Sequence, residues 1–253
     1  MSRPVISVHA DPATAAKTLA AECAALIRES VRPVVLGLAT GSTPLPFYAE
    51  LVRLHRDDGL SFRNVVSFNL DEYLGLDRDH PESYWSFMWK NLFSHIDIQA
   101  ANVHLPPGIV APGGEEDACA AYEAAIVAAG GIDFQILGIG RTGHIGFNEP
   151  GSSRDSRTRR IHLDPITRQD AAPAFHGIDN VPTHALTMGC GTILDARAVR
   201  LMAWGEKKAS IVKRAVDGPI TDEVSASFLQ LHPNASFILD KAAAAELAEG
   251  RNT

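Results

Sequence analysis

Cysteine is scarce in this chain, and its few residues lack a pairing or metal-binding pattern. The 253 residues contain three cysteines, Cys23, Cys119 and Cys190. Their number is odd and their spacing differs from that of metal ligands. We therefore expect neither a disulfide framework nor a cysteine-based metal centre. Reduced thiols are typical of the cytoplasm, which is the location that the sequence predicts.

An excess of basic charge and long apolar runs are also missing. The chain has 23 Lys and Arg residues against 30 Asp and Glu, a formal net charge of −7. This balance provides no attraction to nucleic acid or an anionic membrane. No apolar run approaches the roughly 20 residues that span a bilayer, and we expect no export signal. An anionic ligand would have to be held by a local group of donors.

Short apolar strands alternate with helical patterns along the chain. This alternation predicts one doubly wound α/β domain over residues 1–253, with a mostly parallel sheet and helices on both faces. A turn-rich segment at about residues 160–183 is expected to be a mobile lid. Strands are predicted at 5–8, 33–38, 65–70, 103–105, 134–137, 185–188, 199–204 and 236–239. Helices are predicted to begin at 12 and 44 and to span 81–96, 115–129, 206–216 and 241–247.

The stretch FQILGIGRTGHIGFNEPGSS, residues 134–153, is the most informative part of the sequence. Gly138, Gly140 and Gly143 match the spacing of the dinucleotide fingerprint G-x-G-x-x-G. That fingerprint needs a helix at its third glycine, whereas here another glycine and a proline follow and no helical period continues. The stretch therefore predicts a ligand-binding loop at the carboxyl end of a strand, but not an NAD site.

His144 and Glu149 follow these glycines. A carboxylate that binds one imidazole nitrogen fixes the tautomer and leaves the other nitrogen free to move a proton. A single histidine is more often structural. The nearby acid and the glycines favour a functional role here.

A second loop, with Thr40, Gly41, Ser42 and Thr43, lies between an apolar strand and a helix start. Its N–H and hydroxyl groups could bind a phosphate. The alternative is that Ser42 or Thr43 simply caps the helix. This loop alone favours neither interpretation.

Two further loops follow apolar strands. Asp71 ends one strand, where a partly buried carboxylate could accept a carbon-bound proton; the alternative interpretation of this loop is a solvated acidic turn. Lys207 and Lys208 follow another strand, and either could reach a phosphate or remain solvated. Because the carboxyl ends of parallel strands share one edge of a sheet, all four loops are expected to meet there.

Together the four loops resemble the glucosamine-6-phosphate deaminase (isomerase) family. The matching stretches span nearly the whole chain: LGLATGSTP, VVSFNLDEYLGL, HPESYWSFM, GIGRTGHIGFNEPGSS, SRT, GEKKA and SFLQLHPNA. The resemblance implies a doubly wound α/β enzyme that converts glucosamine 6-phosphate and water to fructose 6-phosphate and ammonia without a cofactor or metal. The 6-phosphogluconolactonases share the glycine-rich turn but lack the FNEP and DEY stretches. Activity on another sugar phosphate, a non-catalytic sugar-phosphate sensor, and galactosamine instead of glucosamine stay open.

The resemblance also implies roles for the candidate residues. His144, supported by Glu149, would open the sugar ring, and Asp71 would move a proton between C2 and C1. Residues 40–43, Gly138 and Lys208 would bind the substrate and its phosphate.

The chain departs from the family pattern at two places. Thr142 stands where the family commonly has an acid, so a third member of the histidine relay is in question. The lid arginine that usually binds phosphate is missing from residues 168–175, and Arg168, about one helical turn early, is the substitute we consider.

Ser152, Ser153 and Arg159 resemble positions that bind an allosteric sugar phosphate in regulated members, but the pattern is incomplete and predicts no regulation. The aromatic residues of the 81–96 helix are expected to serve the core and a subunit contact, which would allow a homo-oligomer.

Overall fold

A seven-stranded parallel sheet runs through residues 4–248, the part of the chain that the computed structural model describes. The ten strands are β1 (Val5–His9), β2 (Val34–Leu38), β3 (Val65–Asn69), β4 (Asp71–Tyr73), β5 (Val103–His104), β6 (Phe134–Leu137), β7 (Arg159–His162), β8 (His184–Thr187), β9 (Ala198–Ala203) and β10 (Ala235–Asp240). The seven α-helices are α1 (Pro12–Glu29), α2 (Leu45–Asp58), α3 (Tyr84–Asn91), α4 (Glu115–Ala128), α5 (Pro165–Ala171), α6 (Cys190–Leu194) and α7 (Ala209–Asp217). These counts refer to the described residues.

The order of the large sheet is β1-β10-β9-β6-β2-β3-β5, and every pair in it is parallel. All residues of β2 and β9 are buried, as expected for strands covered on both faces. The predicted α/β fold class is confirmed. Since β9, β6, β2 and β3 are consecutive neighbours, the loops after them meet at one edge of the sheet, as the sequence predicts.

A second, antiparallel sheet of order β4-β8-β7 lies beside that edge. One prediction is wrong here, and another is incomplete. Asp71–Tyr73 was expected to be a turn and forms β4, because it pairs with β8 from a distant part of the chain. Residues 160–183, expected to be turn-rich, contain most of β7 and the whole of α5. We keep the name lid segment for residues 160–183, and its mobility stays a prediction.

The start of α1 follows the predicted chemistry, whereas α3 and α7 begin three residues later than predicted, at Tyr84 and Ala209. Asp11 accepts a hydrogen bond from the Thr14 N–H, and Pro12 occupies the first turn of α1. The aromatic helix ends early, at Asn91, since Leu92 leaves the helical region with φ −141°. The helix predicted at 241–247 is wrong: these residues form turns on Asp240, whose Oδ1 accepts the Ala243 N–H at 2.7 Å.

Three buried or half-buried aromatic side chains hold the loops at the sheet edge. Tyr48 donates to the Ala39 carbonyl at 2.5 Å, and Tyr122 donates to the Asn69 carbonyl at 2.6 Å. Trp204 Nε1 donates to the Thr43 carbonyl at 2.9 Å. The loops after β2 and β3 are therefore attached directly to the hydrophobic core.

The described residues include no helix that is both long and apolar enough to cross a membrane.

Candidate active site

A cavity of about 170 Å³ opens at the edge where the four loops meet. The predicted residues Thr40, Thr43, Asp71, Gly138 and His144 all line it. The structure thus brings together side chains from the loops after β2, β3 and β6. The loop after β9 reaches the same place through Lys208.

The loop after β2 contributes Thr40 and Thr43 to the lining of this cavity. Gly41 has φ +92°, a left-handed conformation that glycine adopts without strain. Neither Ser42 nor Thr43 caps α2, which begins after Pro44 without a side-chain hydrogen bond. The helix-cap interpretation is therefore wrong.

Lys208 lies beside the cavity wall. Its Nζ donates to the Ile139 carbonyl at 2.7 Å, next to the pocket-lining Gly140. Burial lowers the pKa of Lys208; Asp170 partly opposes this shift and Arg141 adds to it. A half-buried ammonium group beside hydroxyl and N–H donors forms a suitable site for an anion.

Asp71 lies on β4 and is 5% exposed. Burial, and then the neighbouring charge of Glu72, raise the pKa of Asp71 well above its usual value, while the Phe147 N–H opposes the shift. A carboxylate with a raised pKa can act as a general base that accepts a proton from a carbon atom.

Glu72, which the sequence analysis did not select, fixes β4 against α3. Its Oε1 accepts the N–H groups of Tyr73 and Tyr84 at 2.9 and 3.0 Å, and its Oε2 accepts that of Trp85 at 3.0 Å. The carboxylate therefore binds the free N–H groups at the start of α3. Burial raises the pKa of Glu72 to about 7, although these three hydrogen bonds act to lower it.

Glu72 should make the fold less stable as pH rises. A raised pKa means that the folded chain binds this proton more tightly than the unfolded chain, so the stabilisation is complete below pH 4.5, the usual value, and is lost as pH rises through about 7. This contribution amounts to about 2–3 kcal/mol of the decrease in unfolding free energy as pH rises. We expect it to disappear in the Glu72→Gln variant. Urea unfolding between about pH 5 and about pH 8 measures it.

The exposed Glu29→Gln variant is the control for that experiment and should keep the wild-type slope. The burial of Asp71 acts in the same direction, so part of the slope should persist in Glu72→Gln. A wild-type slope in Glu72→Gln would contradict the assignment.

His144 lies over a glycine turn that admits no larger residue. The Gly143 N–H donates to the Gly140 carbonyl at 3.1 Å, and Gly143 has φ +92°. A Cβ atom on Gly140 would lie 2.1 Å from His144 Nε2, which is far inside contact distance. Close packing of the ring on this backbone explains a glycine at 140, and it holds the imidazole at the cavity wall.

The other ring nitrogen of His144 has two oxygen neighbours. Thr142 Oγ1 lies 2.9 Å from Nδ1 with hydrogen-bond geometry. Glu149 Oε2 is also 2.9 Å from Nδ1, in a contact outside hydrogen-bond geometry. Both partners predicted from the sequence are thus in place, and Thr142 occupies the position that was in question.

Glu149 joins His144 to the lid segment. Its Oε1 accepts from Thr167 Oγ1 at 2.7 Å and from the Asp164 N–H at 3.3 Å. Burial raises the pKa of Glu149, but His144, Thr167 and Asp164 together outweigh it and the net shift is downward. Glu149 is therefore held as a carboxylate.

Arg168 is not brought to the cavity. Its Nη2 donates to the carbonyls of Ile178 and Val181 at 2.8 and 3.1 Å, so it closes the lid segment on itself. We therefore leave Arg168 out of the phosphate site.

Ser152, Ser153 and Arg159 lie outside the cavity lining. Arg159 donates to Asn148 Oδ1 at 2.8 Å and to Ser152 Oγ at 2.9 Å. The Ser153 hydroxyl accepts the Asp155 N–H at 3.3 Å. These contacts give the three residues local structural partners.

Tyr84 and Phe147 line the cavity, although the sequence analysis assigned neither to it. The Tyr84 hydroxyl lies 3.4 Å from that of Tyr73, and its ring stacks on Phe147 with centroids 5.9 Å apart. Tyr84 belongs to an aromatic helix pattern that is typical of core packing. The DEY and SYW stretches were noted separately, and only the fold shows that they meet.

Comparison with protein families and curated relatives is consistent with this geometry. Residues 10–237 match the family described as glucosamine-6-phosphate isomerases/6-phosphogluconolactonase. A glucosamine-6-phosphate deaminase of Cellvibrio japonicus is 53% identical over 85% of this chain and 81% of its own. One of Hahella chejuensis is 49% identical over 93% of this chain and 89% of its own.

Solved structures show the same fold. A structure described as a monomeric glucosamine-6-phosphate deaminase superposes with a TM-score of 0.92 and is 40% identical, covering 96% of this chain and 99% of its own. A 6-phosphogluconolactonase from Trypanosoma brucei superposes with a TM-score of 0.78 at 24% identity, covering 98% and 100%. The second similarity concerns the fold alone.

Proposed function

Because this chain belongs to the glucosamine-6-phosphate isomerase and 6-phosphogluconolactonase family, we propose that it is a deaminase of that family. It would convert glucosamine 6-phosphate and water to fructose 6-phosphate and ammonia. Relatives that carry the deaminase name are 49–53% identical, whereas the lactonase is 24% identical. We therefore favour the deaminase over the lactonase.

One observation carries this proposal: a buried carboxylate and an imidazole face the same cavity of about 170 Å³, together with donors for an anion. Isomerisation with deamination needs a base at carbon, a proton carrier at the ring oxygen and an anchor for the phosphate. Asp71, His144 and the group formed by residues 40–43 with Lys208 provide these three functions. A sugar-phosphate sensor would not need a buried carboxylate with a raised pKa at its ligand.

The proposed mechanism begins with ring opening. His144 would take the proton of the anomeric hydroxyl and return it to the ring oxygen, while Thr142 and Glu149 hold its Nδ1 side. Asp71 would then remove the C2 proton while the aldehyde oxygen O1 takes up a proton from water, leaving an enolamine. Asp71 would deliver its proton to C1, which gives a protonated imine at C2, and the proton borrowed from water is returned when ammonia leaves. Water would add at C2 of the resulting imine, and ammonia would leave as the carbonyl forms. Atoms balance without a cofactor or a metal.

The direct test is incubation of the purified protein with glucosamine 6-phosphate, with both products measured. We expect ammonia and fructose 6-phosphate in equal amounts. Ketose without ammonia would indicate a plain isomerase, and the absence of both would contradict the proposal. Galactosamine 6-phosphate in parallel tests the choice of amino sugar.

Lys208 should be a main cationic anchor of the phosphate. A charge-assisted hydrogen bond contributes about 1.5–3 kcal/mol, so Lys208→Met should weaken substrate binding by about 10- to 150-fold. Part of the loss should appear as slower turnover, since a poorly held phosphate misplaces C1 and C2. The measurement is the ratio of kcat/KM for glucosamine 6-phosphate to that for free glucosamine.

The exposed neighbour Lys207 offers the matched control. Lys207→Met should keep the wild-type preference for the phosphorylated sugar, and so should Arg168→Met. A larger effect in either control than in Lys208→Met would require reassignment of the anchor.

The proposal includes a small-molecule substrate and a cytoplasmic reaction. The similar solved deaminase is described as monomeric. The three cysteines are buried and unpaired, as a reducing compartment would keep them. The homo-oligomer expected from the aromatic helix stays a prediction, which sedimentation velocity would test.

A further inference from the structure

Asp71, the proposed general base, lies directly opposite Thr187 in the small antiparallel sheet. Thr187 is the last residue of β8, is fully buried and lies outside the cavity lining. It therefore does not reach a substrate, and the proposed mechanism assigns it no step. A buried hydroxyl costs free energy unless it is hydrogen-bonded, so its partners indicate what it does.

The Thr187 hydroxyl is bonded to a turn of the cavity wall. Its Oγ1 accepts the Phe147 N–H at 3.1 Å and donates to the Met188 carbonyl at 3.3 Å. Phe147 and the preceding Gly146 both line the cavity. The hydroxyl therefore attaches the turn at residues 146–147 to the end of β8.

The same turn packs on the carboxylate of Asp71. Gly146 has φ +56°, and a Cβ atom built on it would lie 3.1 Å from Thr187 Oγ1 and 3.4 Å from Asp71 Oδ2. A side chain at residue 146 would press on both groups at once. The turn, the hydroxyl and the carboxylate are thus packed against one another, and a shift of the turn would change the place of the carboxylate.

The Phe147 N–H lies between two acceptors. It donates to Thr187 Oγ1, and it also acts on Asp71, where it opposes the rise in pKa that burial causes. A hydrogen bond to a carboxylate favours its charged form and so makes it a weaker base. Because Thr187 holds this N–H, less of that effect reaches Asp71.

We propose that Thr187 is a positioning residue for Asp71: its hydroxyl holds the 146–147 turn in place and keeps the Phe147 N–H from binding the carboxylate fully. The inference rests on the proposed function for the role of Asp71 as the base at C2. Without the hydroxyl, the turn loses its bond to β8 and the N–H is left to the carboxylate. Asp71 would then be both displaced and less basic.

The other ionisable groups around Asp71 are unchanged in a Thr187 variant. Glu72, next to Asp71 on β4, adds a charge that raises the pKa of Asp71. His144 lines the same cavity. Three phenols also interact with Asp71, and burial raises the pKa of each and keeps it uncharged near neutral pH: Tyr73, Tyr84 and Tyr122. A difference in the titration of Asp71 would therefore report the loss of the hydroxyl.

The test compares Thr187→Val, Thr187→Ser and Thr192→Val by exchange of the C2 hydrogen of glucosamine 6-phosphate. Valine keeps the shape of threonine and removes the hydroxyl, whereas serine keeps the hydroxyl. Thr192 is the matched control, since it is also buried and its hydroxyl donates to Glu123 Oε1 at 2.5 Å, outside the cavity lining.

Thr187→Val should slow exchange about 10- to 100-fold, as expected when a reacting group is misplaced. Thr187→Ser should restore most of the rate, and Thr192→Val should exchange like the wild type. All three variants should bind inorganic phosphate with wild-type affinity, because the anion donors are untouched.

The titration of the Asp71 carboxyl gives a readout that does not need turnover. NMR of isotopically labelled aspartate follows it, with the signal assigned by its loss in Asp71→Asn. In Thr187→Val this carboxyl should titrate at lower pH than in the wild type, and the rise of the exchange rate with pH should move in the same direction. A wild-type protein that releases no ammonia would contradict the proposed function, and the titration would still test Thr187.

Either of two results would overturn the proposal. One is exchange in Thr187→Val equal to that in Thr192→Val, and the other is an unchanged titration of Asp71. Thr187→Cys covers the case in which Thr187→Val does not fold, since a thiol is only a weak acceptor and should slow exchange as valine does. Wild-type exchange in Thr187→Cys would count against the proposal in the same way.

Discussion

Asp71→Asn should lower the rate of ammonia release by about 10²- to 10⁴-fold, the usual loss when a general base is removed. An amide of the same shape cannot take the C2 proton. Because Asp71 is 5% exposed and its pKa is raised by burial, the wild-type rate should increase with pH as this carboxyl loses its proton. The variant should lose that dependence together with its activity.

Exchange of the C2 hydrogen with deuterated water is the specific measurement for Asp71. Asp71→Asn should bind inorganic phosphate with wild-type affinity, which would show that the fold and the anion site are intact. The exposed Asp79→Asn is the matched control and should exchange normally. Wild-type exchange in Asp71→Asn would remove Asp71 from the proposed role.

His144→Ala should cause a loss of turnover similar in size to that of Asp71→Asn, about 10²- to 10⁴-fold, because no other group is proposed to move the ring-opening proton. Thr142→Ala should cost much less, about 2- to 10-fold, which is the value of one ordinary hydrogen bond. Thr142 contacts the same Nδ1 atom at 2.9 Å, but a hydroxyl cannot stabilise an imidazolium as Glu149 can. The measurement is kcat for ammonia release.

Thr142→Ser keeps the hydroxyl and should restore most of the activity lost in Thr142→Ala. If Thr142→Ala proves as inactive as His144→Ala, the threonine is a full partner of the imidazole and its lesser role is wrong.

The loops of the site could be predicted because they follow local rules. Apolar strands such as Val34–Leu38 and Phe134–Leu137 carry their own pattern, and parallel strands place the loops that follow them at one edge. Helix starts such as Asp11-Pro12 also depend only on near neighbours. Asp71, His144, Glu149, residues 40–43 and Lys208 are all found at that edge, as expected.

The remaining features depend on contacts between distant residues. Asp71–Tyr73 is acidic and reads as a turn, but pairing with His184–Thr187 and three N–H donors to Glu72 make it a strand. Tyr84 has the pattern of a core residue, and only tertiary packing places it in the lining of the cavity.

Glu149 has consequences beyond supporting an imidazole, since its two oxygens face different parts of the molecule. One is bound by Thr167 and by the Asp164 N–H, and the other lies against His144. The docking of α5 and the charge of the His144 ring therefore both depend on the Glu149 carboxylate, so a change in one affects the other. Thermodynamic linkage makes that influence reciprocal. If a sugar that favours one charge state of His144 changes the free energy of α5 docking, the docking of α5 changes the free energy of sugar binding by the same amount.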